Sequence, residues 1–509
     1  MKQSSGQRLL WFPPALFLTL FFLLPLARVL IQGLTSNAWH EVATTKTLTI
    51  LWFTLWQSLL SASASVFLGI PTAYLFYKKN FAGVKHLRAL IATSFVLPSI
   101  VVAIAIRALI PGASGALYIL MGNIFMNYAL ATRMIGTHWQ VLDRDCDEAA
   151  ELDGASRLRH IWSISLPQLR PSLASAFLLT TLYCISNFGI VMTLGSVHNR
   201  TLESEIYRSA VENLDLSRSS ALVLLQVALT VGILITSQAI MRRNLTSHGS
   251  IRHTTRISLK DLPVSITAGV ICLVLTGIPM GALFLKAFHS TQGWGLHNFS
   301  LLTSSNTASL LNITVLQSAE NSIRNAIIVI LFAMGLGTLV SYLLVRTPKV
   351  DIFFQLPLGI SSVIVGFGFL ITFTDGFFPL RSSWLILPIA QILLIIPMVI
   401  RFVLPALVTI NSELIESAEI DRADEEMIWW KVQLPLIKPA LAIAAGYAAI
   451  TSIGDFGATD FLAYGDQATL PIALFQLISR PGAANYGAAM AASSLLVLIC
   501  GAVIYISEW

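Results

Sequence analysis

Glu148-Ala149-Ala150-Glu151-Leu152-Asp153-Gly154 is followed, after Ala155 to Ser165, by Leu166-Pro167-Gln168-Leu169-Arg170-Pro171. The arrangement returns as Glu416-Ser417-Ala418-Glu419-Ile420-Asp421-Arg422, which closes on Leu434-Pro435-Leu436-Ile437-Lys438-Pro439. Glu416 stands 268 residues after Glu148, as Pro435 does after Pro167 and Pro439 after Pro171. Each stretch is a polar island between long apolar runs. In the first, Ala149, Leu152, Ala155, Leu158 and Ile161 recur at about helical spacing; in the second, Ser417, Ile420, Ala423, Met427 and Trp430 do. Gly154, at roughly 1 kcal/mol inside a helix, is expected to end one short helix and let another begin. Leu166-Pro167 is expected to stop that second helix, because the residue before a proline is pushed out of the helical region. Two matched islands need a shared partner or a shared task.

The rest of the chain reads as a membrane protein. Of its 509 residues 55% are hydrophobic and 11% charged, against about 25% charged in soluble domains. Lys2 and Arg8 precede the run Leu9 to Ile31, read as a retained first span and not a cleaved signal. Further runs long enough for ~30 Å of hydrocarbon fall at 54–77, 88–110, 114–132, 172–195 and 219–241. Six more follow at 263–287, 322–345, 353–374, 384–408, 440–463 and 486–507. Lys and Arg gather in alternate connections: Lys78, Lys79, Lys85 and Arg88, then Arg144, Arg157, Arg159 and Arg170, then Arg242 to Lys260. That asymmetry places the N-terminus and both islands in the cytoplasm. The net charge of +6 is thus a topology signal, and no nucleic-acid partner is expected. Cys146, Cys184, Cys272 and Cys500 lie far apart, with neither metal-ligand spacing nor a disulfide framework.

The repeat reaches beyond the islands. At the same separation Asn187-Phe188-Gly189 matches Asp455-Phe456-Gly457, Thr201-Leu202 matches Thr469-Leu470, and Gly69 and Tyr74 match Gly337 and Tyr342. Six spans per half give both halves one orientation, a parallel repeat about an axis along the membrane normal. The expected architecture is an all-α polytopic membrane protein of about twelve transmembrane helices in two parallel six-helix repeats. Residues 1–241 form the first half, 242–262 a flexible polar linker and 263–509 the second half. Polar groups inside spans are the pathway candidates, Asn187 and Asp455 first among them. They either line a central gate on the axis or bond helix to helix. Gly189, Gly457, Gly366 and Gly368 read as points of close packing. Outer Glu203, Glu205 and Glu212 read as a solvated charged loop, or as a patch that meets a basic partner. No phosphate-cradling Gly-x-x-x-x-Gly-Lys-Ser/Thr, zinc-protease or nucleophile motif occurs, so neither an enzyme nor a cofactor is expected.

Glu-Ala-Ala, three residues, Gly, then Leu-Pro resembles the cytoplasmic loop of bacterial ABC importer permeases. The fusion of two six-span halves resembles the ferric iron and thiamine importer group, over nearly the whole chain. The resemblance implies the type I importer permease fold in a bacterial inner membrane, with loops at about 137–171 and 411–439 docking on two copies of a separate ATP-hydrolysing subunit. It implies that Glu148, Ala149, Ala150, Gly154, Leu166 and Pro167 carry the motif, with Glu416, Ala418, Leu434 and Pro435 in the second copy. It implies an extracytoplasmic solute-binding protein as a further partner, surrounding membrane lipid, and ferric iron or thiamine as cargo. The second copy departs at Ser417, where the motif has Ala, and at Arg422, where it has Gly. A secondary transporter with parallel six-span halves fits the same hydropathy, but has no need of twin docking loops.

Overall fold

The computed structural model describes residues 9–35, 39–42, 44–142, 153, 161–243, 254–258, 261–303, 313–374 and 380–507. Its first half contains α1 (Phe12–Thr35), α2 (Thr45–Lys78), α3 (Val84–Val96), α4 (Ser99–Leu109) and α5 (Ala116–Trp139). There follow α6 (Leu166–Ile185), α7 (Phe188–Leu194), α8 (Leu202–Tyr207) and α9 (Leu216–Arg243). The second half opens with α10 (Leu262–Phe288), α11 (Val315–Arg346), α12 (Asp351–Gly359), α13 (Ser362–Thr374) and α14 (Ile386–Val408). It continues with α15 (Ser412–Ile420), α16 (Glu425–Ile428), α17 (Leu434–Gly454), α18 (Gly457–Leu462), α19 (Leu470–Ser479) and α20 (Ala483–Ser507). Among the described residues, the only strands are two two-residue pairings.

Hydropathy reads about twelve spans, and the all-helical, multi-span structure agrees with that class. Among the described residues eight helices are long and apolar enough to cross a membrane, and eleven spans result if each of three bent pairs is one span. The stretch expected at 114–132 lies in α5, whose buried Asn123 and Asn127 make it less apolar than the others. The runs 88–110 and 353–374 are each two helices, α3 with α4 at 103° and α12 with α13 at 98°. Pro98 sets the first bend, since Leu97 before it is held extended at ψ 140°. In the second half Ile360 is extended at ψ 132°, and Ser361 Oγ accepts the Ile364 N–H at 3.4 Å to cap α13. A break in hydrocarbon strands backbone polar groups unless protein surrounds it. Here it does: Ile100 to Ala105 are fully buried.

The halves embrace. In α1, Phe21 meets Phe373 at 5.9 Å between ring centroids and Arg28 Nη1 donates to Ile371 O at 3.3 Å, so the first helix of the first half packs on α13 of the second. Conversely, Thr276 of α10 bonds Ser94 at 3.2 Å and the Tyr128 hydroxyl, both in the first half. Matched bonds repeat the symmetry inside each half. Leu202 N–H donates to Thr54 Oγ1 at 3.0 Å, and Leu470 N–H to Ser322 Oγ at 2.8 Å, each residue 268 after its counterpart.

The described part of the linker is held by the first half; Ser247 to Ser250, where flexibility is expected, lie outside the described residues. Thr255-Arg256 pairs in parallel with Lys79-Asn80. Fully buried Asp261 sits 3.1 Å from Lys79 Nζ, and accepts from Tyr74 Oη at 2.8 Å and from Ser258 N–H and Oγ at 2.9 Å. Burial alone raises a carboxyl pKa, but the bonds from Ser258, Tyr74 and Lys79 outweigh it and hold Asp261 below the usual carboxylate range. Stability from this site is therefore full above the ordinary aspartate pKa of about 3.9 and falls as pH drops further. Asp261→Asn, which leaves Lys79 buried without its counter-charge, is expected to destabilise by on the order of 3 kcal/mol. Thermal unfolding at pH 7 should show the gap, and the gap should narrow below pH 4.

Candidate functional site

The second polar island is fully described: the short helix α15 is followed, after a turn, by α16, which runs on into α17. Asn411 caps α15 by accepting the Glu413 N–H at 3.1 Å, and Asp424 caps α16 by accepting the Met427 N–H at 2.8 Å. Between them the chain turns at Arg422, whose φ is +60°. Ala423 N–H bonds Ala418 O and Arg422 N–H bonds Glu419 O, both at 3.0 Å, the paired closure of a helix end that favours glycine at its left-handed position. That position is where the first island carries Gly154. Arg422 thus holds a conformation that glycine takes freely, at a cost of about 1 kcal/mol of backbone strain.

Glu416 is exposed at the fifth residue of α15, and Ala418 is half-buried two residues on. No residue of α15 is buried, and Leu414, Ile420, Met427 and Trp430 stand exposed across the two helices, Ile420 by 81%. The island is tied to its own half by Arg346–Glu425 at 3.2 Å and by the Tyr342–Trp429 ring contact at 5.1 Å. Glu148, Ala149, Ala150 and Gly154 lie outside the described residues. Leu166 and Pro167, half-buried, begin α6, as half-buried Leu434 and exposed Pro435 begin α17. Both pairs correct the expected helix stop. A π-type turn, Ile161–Ser165 or Trp429–Gln433, runs straight into each helix. The ladder is already out of register there, so a proline without an N–H is accommodated and the rod continues.

Each rod ends at the second motif. α6 stops at Ile185 and α7 leaves at 54°; α17 stops at Gly454 and α18 starts at Gly457. The residues that these breaks bring together are Phe188 and Phe456, stacked at 5.4 Å and 25° across the pseudo-twofold axis. Their counterparts Tyr207 and Phe475 flank them at 5.4 Å and 5.2 Å. A Cβ on Gly189 would lie 2.1 Å from Ser99 Oγ, and one on Gly457 2.1 Å from Ser362 Oγ, so only glycine lets the short helices sit this close. Asn187 and Asp455 flank the rings, but their side chains bond within their own halves. Asn187 Nδ2 donates to Asn123 Oδ1 at 2.9 Å; Asp455 Oδ2 accepts from Thr459 Oγ1 at 2.8 Å and from Thr459 N–H at 3.2 Å. Phe188 and Phe456 went unassigned in the sequence, although their shared place in Asn/Asp-Phe-Gly was the available signal. Arg107 left no such signal; it donates to Thr193 O at 2.8 Å and Ile478 O at 3.2 Å, joining the halves.

Below the stack, toward the polar islands, a cavity of about 370 Å³ lies between the halves. It is lined by counterparts, Leu130 with Met398, Arg133 with Arg401 and Leu179 with Tyr447, each 268 apart. The outer acidic loop is corrected: Glu203 and Glu205 are buried, Glu205 between Arg200 at 3.2 Å and Arg218 at 3.0 Å. Glu212 remains exposed and paired with Arg208 at 2.7 Å. Among the described residues no group of three or more His, Cys, Asp or Glu could hold a metal ion.

Residues 65–247 and 348–507 both match one family, described as binding-protein-dependent transport system inner membrane component. The chain belongs to that family. It is a multi-span transport permease, and each matched region contains one copy of the polar island. It is 26% identical to the thiamine transport system permease protein ThiP of Brucella abortus over 90% of this chain and 88% of the relative. It is 24% identical to the ferric transport system permease protein FbpB of Actinobacillus pleuropneumoniae over 71% of this chain and 54% of that protein. The ThiP of Haemophilus influenzae is 23% identical over 89% and 86%. In the permease the strained turn is testable directly. Arg422→Gly is expected to slow amide exchange across 412–423 several-fold, the equivalent of about 1 kcal/mol, and Arg422→Val to speed it. Equal exchange in both variants would contradict the left-handed cap.

Proposed function

We propose that the chain forms the translocation pathway of an importer driven by two copies of a separate ATP-hydrolysing subunit, one on each polar island. The N-terminus and the islands face the cytoplasm, an extracytoplasmic solute-binding protein delivers cargo to the opposite face, and membrane lipid surrounds the outer helices. Ferric iron or thiamine, named for the relatives, is the cargo class. The observation that carries the reading is the apolar surface of the second island. Leu414, Ile420, Met427 and Trp430 are exposed on helices that bury little against their own chain, beside exposed Glu416. Isolated apolar side chains on a surface are ordinary, whereas a cluster on a capped, strained, two-helix projection suits a docking partner.

Coupling follows from the continuity of the rods. Glu425–Gly454 is one helix of 30 residues, from the island to the residue before Asp455-Phe456. A push on the island thus moves the base of a rod whose far end bears one ring of the stack. In the first half α6 carries the same relation to Phe188. Movement of two subunits toward each other on nucleotide binding would shift both rods symmetrically, part the rings and reverse the access of the cavity.

Charge reversal tests the docking. Glu148→Lys with Glu416→Lys is expected to leave membrane abundance normal, because insertion rests on the apolar spans, and to abolish both ATPase association and uptake. Pull-down of the ATP-hydrolysing subunit with tagged permease, read beside uptake in the same membranes, checks this. Sustained uptake without the ATPase would establish the secondary-transporter alternative.

A further inference from the structure

The charge of the central cavity is one-sided. Arg133 on α5 and Arg401 on α14, counterparts in the repeat, both line it, and Arg88 on α3 adds a third guanidinium. Among the described residues the lining includes no carboxylate. Arg133 Nη1 donates to Tyr447 Oη at 3.2 Å. Arg401 is exposed and makes no hydrogen bond or ion pair among the described residues. The remaining wall is apolar and aromatic, with Tyr183 and Tyr447 on it. Cations within a membrane protein are costly and mark pathways. A guanidinium presents a planar fork of donors that matches two oxygens of a phosphate or carboxylate, which an ammonium does not. Two such forks, one from each half, in a cavity of ligand size with aromatic walls make a receptor for an anionic group.

We propose that Arg133 and Arg401 form an anion-binding station below the Phe188–Phe456 stack, which receives a phosphate or carboxylate borne by the cargo. The station rests on the permease reading and narrows its cargo. A bare ferric ion and unphosphorylated thiamine, itself a cation, are repelled there, whereas a ferric chelate of net negative charge or a phosphate ester of thiamine is held. A lipid headgroup offers the same phosphate chemistry, so the test separates the two sources.

The full chain in phosphatidylcholine nanodiscs is titrated with inorganic pyrophosphate by calorimetry. Saturable binding is expected, at least tenfold weaker in Arg133→Gln and in Arg401→Gln, and partly restored in Arg401→Lys. Absence of binding by the unmodified chain, which needs no variant to fold, would overturn the proposal; so would undiminished binding in both Gln variants. A second arm adds phosphatidylglycerol to the discs. Unchanged pyrophosphate affinity supports a cargo station, and its loss assigns the site to lipid and overturns the cargo reading. Pull-down of the ATP-hydrolysing subunit by the Gln variants is expected to match that by the unmodified chain. Failure of the docking reading would appear in the pull-down, and failure of the station in the titration.

Discussion

Backbone polar groups have no water to turn to in hydrocarbon, and this constraint decides where the chain can break its helices. All the breaks between paired helices lie against protein. Leu97-Pro98 and Ile360-Ser361 are mirrored bends, and Ser186-Asn187 and Asp455-Phe456 are mirrored breaks at the ends of two rods. Because they are buried, their polar side chains and neighbouring glycines serve the interior, and the one large group left at each rod end is a phenylalanine. Those two rings meet on the axis at 5.4 Å. The cavity, the embrace of α1 and α10, and the link from polar island to stack all depend on the breaks being where they are.

The two halves are alike in plan and unlike in chemistry. Asn187 and Asp455 occupy one position, yet the first bonds an asparagine on α5 and the second Thr459 of the short helix that follows it. Thr54 and Ser322 exchange one hydroxyl donor-acceptor for another. Arg422 turns at φ +60° at the repeat position where the first half has Gly154, a residue that meets no strain at such an angle. Such pairs are what a duplicated fold retains when geometry is constrained and composition is not.

Much of this was legible in the sequence because periodicity and spacing carry it. The twin islands, the separation of 268 residues and the all-helical class follow from residue patterns alone, whereas the turn at Arg422 does not, since arginine is not the residue such a turn favours. Hydropathy failed where burial inside protein imitates burial in lipid. Ile100 to Ala105 read as part of one straight span and form an enclosed helix set at 103° to its neighbour, the second limb of a bent pair. Glu203 and Glu205 read as surface because charge does so on average, but Glu205 is buried within a cluster of arginines at 3.0–3.2 Å. Leu-Pro read as a stop because a π-type turn leaves no mark in a sequence. The partners of Asp261 were hidden for a simpler reason: Tyr74 and Lys79 lie nearly two hundred residues earlier.

The central claim is that the two repeat halves meet ring to ring at Phe188 and Phe456. Cysteines placed at both positions in a cysteine-free chain, with a protease site within 244–250, test it directly. After treatment with a short thiol crosslinker and cleavage of the linker, the account predicts one covalent species carrying both halves. Two separate halves, with both cysteines labelled singly, would contradict it.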